Sequence, residues 1–317
     1  MDACIDIGGT KVAVSLSSGS GLALFARRSE PTAKTGSNDA LARQVIRLVD
    51  EACAEIGIDP ATVQRAGVSS CGPFVMRDGF IEVAAPNICG GMAGPARGLP
   101  NDWITALLEA VLRQRFANVR VENDCVAALE AERRWGALRG FDHCAYVTWS
   151  TGVGCGLCLD GRLLHGKNGN AGHAGHMFVS DDGDALCGCG NIGDVEALVG
   201  GNSIARRFGA DAASLMVRAQ AGDAQVHAVV EELCRVMGRA LYNLTTTLDL
   251  QRISLGGSVF TNHIAYLLPR LQAAVSDRFP ALTAGVELVA AGLGERVGDY
   301  AALALLANGA DAPAPPL

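Results

Sequence analysis

No run of basic residues extends beyond a pair such as Arg133-Arg134, and the net charge is −7. A chain so poor in clustered cations offers no electrostatic footprint for nucleic acid, and none is expected as a partner. No apolar stretch approaches the length that spans a bilayer, so no membrane segment is expected either. No signal peptide precedes the first apolar segment, and the eleven cysteines (4, 53, 71, 89, 125, 144, 155, 158, 187, 189, 234) are scattered over 317 residues, with no small-domain disulfide framework. Several lie inside apolar stretches, where a thiol packs as a small hydrophobe, and the expectation is a reduced, cytoplasmic protein. What is present is globular: 49% apolar and 19% charged residues over a length that favours two domains of ordinary size.

The densest chemistry lies in 168–196. Six glycines (169, 172, 175, 188, 190, 193) punctuate His173, His176, Cys187, Cys189, Asp194 and Glu196. A Cys-x-Cys pair eleven residues after His176 can bring three donors together if the chain folds back. Imidazole and thiolate suit zinc, which wants four ligands in a tetrahedron, and Asp194 is the fourth by spacing. A plain glycine-rich loop with two reduced thiols fits the same residues.

From the beginning of the chain, residues 3–7 read as an apolar strand broken by Asp6, followed by Gly8-Gly9-Thr10-Lys11 and strands over 12–16 and 22–28. An acid at a strand end before two glycines and a threonine suits a loop whose N–H groups approach a phosphate, with Asp6 near the accompanying metal. The chain enters a hairpin there, which is not the P-loop pattern. A helix is expected over 38–56, capped by Ser37 or Asn38 and ended by Gly57. A buried strand over 66–70 and a hairpin turned at Asp78-Gly79 come next. Asn87 precedes a glycine-rich loop over 90–100, and periodicity predicts an amphipathic helix over 103–116. A strand over 119–121 delivers Asn123 and Asp124 to the start of a helix over 126–135, the carboxyl-end position where open α/β sheets bind ligands.

After Gly140 the chain repeats its opening: a strand over 144–149, a glycine loop carrying Thr151 and Gly152, a strand over 155–159, a turn at Asp160-Gly161 and a strand over 162–165. Two copies would supply two phosphate-cradling loops. Helices are expected over 195–207 and 223–248, then a strand over 252–255 running into Gly256-Gly257, a helix near 263–279, a strand over 286–290 and a last helix over 300–307. The Ala/Pro-rich stretch 310–317 reads as a frayed tail.

Taken together, these residues resemble the ROK family of sugar kinases, within the actin-like ATPase superfamily. The most specific part is Gly175-His176 with Cys187-Gly-Cys189-Gly-Asn-Ile-Gly193-Asp-Val-Glu196. The resemblance implies two actin-like (ribonuclease H-like) α/β domains flanking a cleft. The boundaries expected are 1–121 with the last helix, about 298–310, returning to it, and 122–297 carrying the zinc motif. It further implies ATP with magnesium (Mg2+), a structural zinc (Zn2+), transfer of a phosphoryl group to a hexose hydroxyl, and a homodimer. Some members carry a helix-turn-helix domain; a first strand at residue 3 leaves no room for one ahead of it.

By the same resemblance, Asp124 falls on the catalytic base, and Asn87, Asn123 and Glu196 on sugar contacts. Asp6, Gly8, Gly9, Thr10, Lys11, Thr151 and Gly152 fall on the phosphate side, Gly256 and Gly257 on the loop flanking adenosine, and His176, Cys187 and Cys189 on zinc ligands. A carboxylate that accepts the hydroxyl proton suits phosphoryl transfer, where positioning and charge neutralisation do most of the rest. Two positions depart from the pattern. His173 stands where the family usually has Glu, exchanging a double acceptor for one donor and one acceptor. Asp194 stands where the family has a third zinc cysteine. The reading is a glucokinase-type kinase, with an amino-sugar or N-acetylhexosamine kinase, or a catalytically weak sugar-binding protein, as alternatives. A chaperone-type ATPase using the same loops is disfavoured by Asn123-Asp124 and the zinc stretch.

Overall fold

The structure is a computed structural model and describes residues 1–19, 21–93, 98–181 and 185–307. The expected tail 310–317, part of the 90–100 loop and the end of the expected 298–310 segment lie outside the described residues. The chain is mixed α/β and divides into two compact units, Met1–Ala131 with His165–Ala171 and Gly298–Leu317, and Glu132–Leu164 with Gly172–Val297.

In the first unit, β1 (Asp2–Ile7), β2 (Lys11–Ser17), β3 (Leu24–Pro31), β4 (Arg65–Ser70) and β8 (Asn118–Asn123) form one sheet in the order β3-β2-β1-β4-β8. The hairpin strands pair antiparallel, whereas β1, β4 and β8 run parallel. Ala3, Ile5, Ile7, Val12, Val14 and Leu16 pack with Leu41, Val45, Leu48 and Val49 of helix Ala40–Glu55 in a single core. Burying side chains of this size gives about 1.5–3 kcal/mol each, which is why the apolar runs find the sheet. A small second sheet joins β5 (Phe74–Arg77), β6 (Phe80–Val83) and β7 (Ala106–Leu107), with the turn between β5 and β6 at Asp78 and Gly79, both at positive φ.

The second unit repeats the order. Its strands β9 (Cys144–Trp149), β10 (Val153–Leu159), β11 (Arg162–Leu163), β12 (Arg252–Gly256) and β13 (Glu287–Ala290) assemble as β11-β10-β9-β12-β13. The central strands β1 and β9 even share a burial pattern, with the one half-exposed residue at Asp6 and at Thr148. Helix Ala224–Leu248 supplies more of this unit's core than any other helix, and at Gly238 an added Cβ would lie 2.4 Å from the Cβ of Ala274 in helix Ile264–Ser276, so only a glycine lets the two helices approach this closely.

Three expectations from local pattern fail. Residues 103–116 are not one helix: 106–107 pair with β6, and only Glu109–Leu112 is helical. Trp103 is held by its Nε1 bond to Gly36 O, and the Glu109 carboxylate accepts the Ile81 N–H, so tertiary partners override the periodicity. The 195–207 helix is broken at Gly200, whose extended ψ of 142° separates Val195–Val199 from Gly201–Phe208. Neither Ser37 nor Asn38 caps helix Ala40–Glu55; Asp39 holds that position without a side-chain cap, its carboxylate taken by Ser37 and Arg43.

Candidate active site and metal centre

Parallel pairing sets the ends of three strands of the first unit level, with Ile7 beside Ser70 and Ser70 beside Asn123. The residues that follow therefore emerge together: Gly8 after β1, Cys71 after β4 and Asp124 after β8. Asn123 is buried and sits just before the first residue of helix Asp124–Trp135, where its Oδ1 accepts the Cys125 N–H at 3.0 Å. Asp124 Oδ1 accepts the same N–H at 2.8 Å. That shared bond fixes the base of the carboxylate while its side chain stays open to solvent.

Protein gathered around the Asp124 carboxyl raises its pKa, against the hydrogen bonds from Cys125 and Asn123. Burial first, then the charge of Asp124, pushes Asp6 up to about 6, against the pull of Lys11 and Arg27. Asp6 therefore senses the charge of Asp124 within this unit. Cys71 lies in the same field: burial, Asp124 and Asp6 all push its thiol up, so it stays protonated. Sequence reasoning passed over Cys71, though its place after β4 matches that of Gly257 after β12 in the repeat.

The loop after β1 is closed by the Gly8 N–H bond to Lys11 O at 2.9 Å, and the Thr32 hydroxyl donates to Gly8 O at 2.7 Å. The amides of Gly9 and Thr10 have no protein partner among the described residues. Gly9 cannot carry a side chain without displacing its neighbour, because a Cβ there would lie 1.9 Å from Asn87 Nδ2. Asn87 is thus brought onto the loop itself. Thr10 and Lys11 are exposed at its rim.

In the second unit the corresponding loop is closed by Ser150 N–H to Gly152 O at 2.9 Å, leaving the Thr151 and Gly152 amides without a partner among the described residues. Here the neighbour is Glu196: its Oε2 accepts the Val153 N–H at 2.9 Å and would lie 2.3 Å from a Cβ at Gly152. Gly256 closes β12, and Gly257, at φ +89°, precedes helix Ser258–Thr261 with Trp149 O only 2.4 Å from where its Cβ would stand.

His176 Nδ1, the Cys187 and Cys189 sulfurs and an Asp194 carboxylate oxygen all lie within 4.8 Å of one another. The separations are 3.1 Å from His176 Nδ1 to Asp194 Oδ2, 3.9 Å to Cys187 Sγ and 3.7 Å to Cys189 Sγ, with 3.7 Å between Cys189 Sγ and Asp194 Oδ2. Bond lengths of about 2.0–2.3 Å in a tetrahedron put neighbouring donors about 3.3–3.8 Å apart, so the four residues fit a zinc ion. Asp194 is buried and divided in function, since its Oδ1 accepts the Ala197 N–H at 2.7 Å and caps helix Val195–Val199. Burial opposes its ionisation, but the His176 bond and the Ala197 N–H bring its pKa below the usual carboxylate value. The Asp194 bond in turn raises His176, against burial.

His173 stands three residues ahead, its ring stacked on that of His176 at 6.0 Å. Burial lowers its pKa, helped by His176, so the ring is held neutral. Its Nε2 is buried without a hydrogen-bond partner among the described residues. The short segment before it belongs to the first unit: Asn170 exchanges two 2.7 Å bonds with the backbone of Phe74, and His165 Nε2 lies 3.1 Å from Glu122 Oε1. Neither contact had a signal in the sequence, because both join stretches far apart along the chain.

A family model described as the ROK family matches residues 2–308. The chain is 29% identical to a glucokinase of Aeropyrum pernix over 327 aligned positions, covering 95% of each. It is 34% identical to an N-acetylmannosamine kinase of Salmonella typhimurium over 261 positions, 80% of this chain and 82% of the relative. A solved ROK family glucokinase from Streptomyces griseus, in complex with glucose and AMPPNP, superposes with a TM-score of 0.65 at 25% identity, covering 95% of this chain and 97% of that one.

Proposed function

The chain belongs to the ROK family, and from that premise we propose that it is an ATP-dependent sugar kinase in which Asp124 takes the proton of the attacking hydroxyl. The observation that carries the assignment is the placement of Asp124: open to solvent, tethered through Cys125 N–H, and emerging beside Gly8 at the start of the loop after β1. A carboxyl with a raised pKa is a better proton acceptor for a weakly acidic alcohol than an ordinary one. Asn123 and Asn87 hold sugar hydroxyls. The free amides of Gly9, Thr10, Thr151 and Gly152 would take nucleotide phosphate oxygens, with Lys11 adding charge, and Asp6 would serve the magnesium that accompanies ATP. Gly256 and Gly257 leave room for the adenosine. Most of the acceleration is positioning and charge neutralisation.

His176, Cys187, Cys189 and Asp194 hold a zinc ion, which when bound cross-links the 176–194 loop beside Glu196. The family relation favours a cytoplasmic homodimer. ATP-coupled turnover over glucose, mannose, fructose and N-acetylated amino sugars tests the reading. Asp124→Asn is expected to bind sugar and lose turnover; turnover retained in that variant removes Asp124 as the base.

A second substrate reading, an amino-sugar or N-acetylhexosamine kinase, is supported by His173 and by the N-acetylmannosamine kinase relatives. A neutral imidazole supplies one donor and one acceptor where a carboxylate supplies two acceptors, which suits a substrate carrying an acceptor group at that point. The sugar panel separates the two: preference for N-acetylmannosamine over glucose, lost in His173→Glu, supports the second.

A further inference from the structure

Glu196 does more in this structure than present a carboxylate to a substrate. One oxygen, Oε2, accepts the Val153 N–H at 2.9 Å, the first amide of β10 after the loop. The other, Oε1, lies 3.7 Å from the Cys187 sulfur, one of the four residues of the metal centre. The helical segment that carries Glu196 is fixed from its amino end, where Asp194 caps it while offering its second oxygen to the metal cluster. It is fixed again just beyond its carboxyl end, where the Gly201 and Asn202 N–H groups donate to Ser150 O and Thr151 O at 2.8 and 3.1 Å. The loop from Ser150 to Val153 thus hangs on three bonds from the 194–202 segment. Only one of the three, that to Glu196, comes from a side chain and can be removed without altering the backbone.

Gly152 shows how close this fit is. A Cβ there would stand 2.3 Å from Glu196 Oε2, so the loop and the carboxylate occupy adjoining space with no room for a methyl group. The amides left free, Thr151 and Gly152, adjoin the amide that Glu196 holds. Their direction is therefore set by the bond at Val153.

We propose that Glu196 is a positioning residue for the Ser150–Val153 loop, tying the metal loop to the nucleotide-binding hairpin of its unit so that they act as one piece. This rests on the kinase reading for the identity of the loop's ligand, and it goes beyond the sugar contact that the family relation implies. It makes two predictions that a sugar contact alone does not. Nucleotide affinity measured without sugar depends on Glu196. The dependence is on the Val153 bond, so an amide oxygen can replace the carboxylate there.

The test is calorimetric titration of a non-hydrolysable ATP analogue with magnesium into the zinc-loaded protein in the absence of sugar, for wild type, Glu196→Gln and Glu196→Ala. Loss of one charge-assisted hydrogen bond predicts about a tenfold weaker Kd for the alanine variant. The glutamine variant, whose amide oxygen can still accept the Val153 N–H, is expected within about threefold of wild type. Hydrogen exchange at the Val153 amide, read in the same proteins without any ligand, is expected to quicken in Glu196→Ala and stay slow in Glu196→Gln. Should the alanine variant fail to fold, Gly152→Ala pushes the carboxylate off the loop and carries the same two expectations. An alanine variant that binds the analogue as tightly as wild type, or keeps Val153 equally protected, overturns the proposal. Failure of wild type itself to bind the analogue sinks the kinase reading instead, and the exchange measurement then tests the brace independently.

Discussion

The two units are built on one strand order, yet they carry different chemistry. In the first, the half-exposed residue of the central strand is Asp6, and the residue after the fifth strand is Asp124. In the second, the matching positions are Thr148 and Ala291. The first unit keeps its ionisable groups close enough for the charge of Asp124 to raise the pKa of Asp6. The second carries no such pair at those positions and instead gathers four side chains that could hold a metal ion in a loop inserted after its hairpin. A duplicated frame supplies two equivalent hairpin mouths, each with two amides that have no partner among the described residues. What differs is the side chain leaning on each glycine, Asn87 on Gly9 and Glu196 on Gly152. Function therefore lies in what is attached to the frame and not in the frame.

The sharpest way to break this comparison is to remove the acid from one unit and the metal from the other. Asp124→Asn should lower kcat by about 10²–10⁴-fold with sugar affinity preserved. Weakened sugar affinity with kcat unchanged would mean that Asp124 binds and does not catalyse. Removal of zinc acts on the other unit and should appear first as stability. At a zinc concentration about a thousandfold over its Kd, chelation should cost roughly 4 kcal/mol, read as a lower thermal midpoint. Asp194 separates its two tasks: Asp194→Asn keeps a good helix cap and weakens the metal site, whereas Asp194→Ala loses both. With the metal removed from each, the alanine variant should be less stable by about 1 kcal/mol. Metal content by elemental analysis, expected at one zinc per chain in wild type, checks the loading.

Much of this was legible in the sequence because it depends on local pattern. The strands are short apolar runs bounded by glycine and turn residues, and the two hairpins with their glycine loops stand out by repetition. That His176, Cys187, Cys189 and Asp194 come together followed from their spacing. What could not be read is set by contacts between distant stretches. Residues 103–116 have helical periodicity, but Ala106 and Leu107 complete a sheet whose other strands begin thirty residues earlier. Gly200 looked tolerable inside a helix until Gly201 and Asn202 were required to reach the Ser150 loop. Cys71 became a site residue only when the register of β1, β4 and β8 aligned the three strand ends.

The glycine contrast is a milder test. Gly9→Ala and Gly152→Ala each place a Cβ against the far end of a flexible side chain, Asn87 in one unit and Glu196 in the other. The side chain can swing aside, so folding stability should change by less than about 1 kcal/mol, which chemical denaturation measures. Sugar affinity should fall in both variants if, as proposed, both displaced groups contact the substrate. A large loss of stability in either would show that the neighbour cannot move. Asp6 gives a related handle. With its pKa near 6 in the free chain, about half a proton should leave it when magnesium nucleotide binds at pH 6 and almost none at pH 8. Calorimetry in buffers of different ionisation enthalpy reads that release, and Asp6→Asn should abolish it.

The smallest effect expected is at His165. Its bond to Glu122 raises the imidazole pKa above the ordinary value of about 6.5, against burial and the Arg120 charge. A histidine whose folded value is raised stabilises the fold fully below the unfolded value and loses that contribution as pH climbs through the folded one. The stability of the wild type should therefore decline slightly as pH rises above about 6.5, and Glu122→Gln should flatten that slope. With the His165 side chain 31% exposed, solvent screening limits the contribution to less than about 1 kcal/mol. Urea denaturation across that range decides it: an identical slope in wild type and variant would mean that the pair ties 165–171 to β8 by shape alone. The segment carries no such titratable tie at its other end, where Asn170 holds Phe74 through neutral bonds that no pH in this range can loosen.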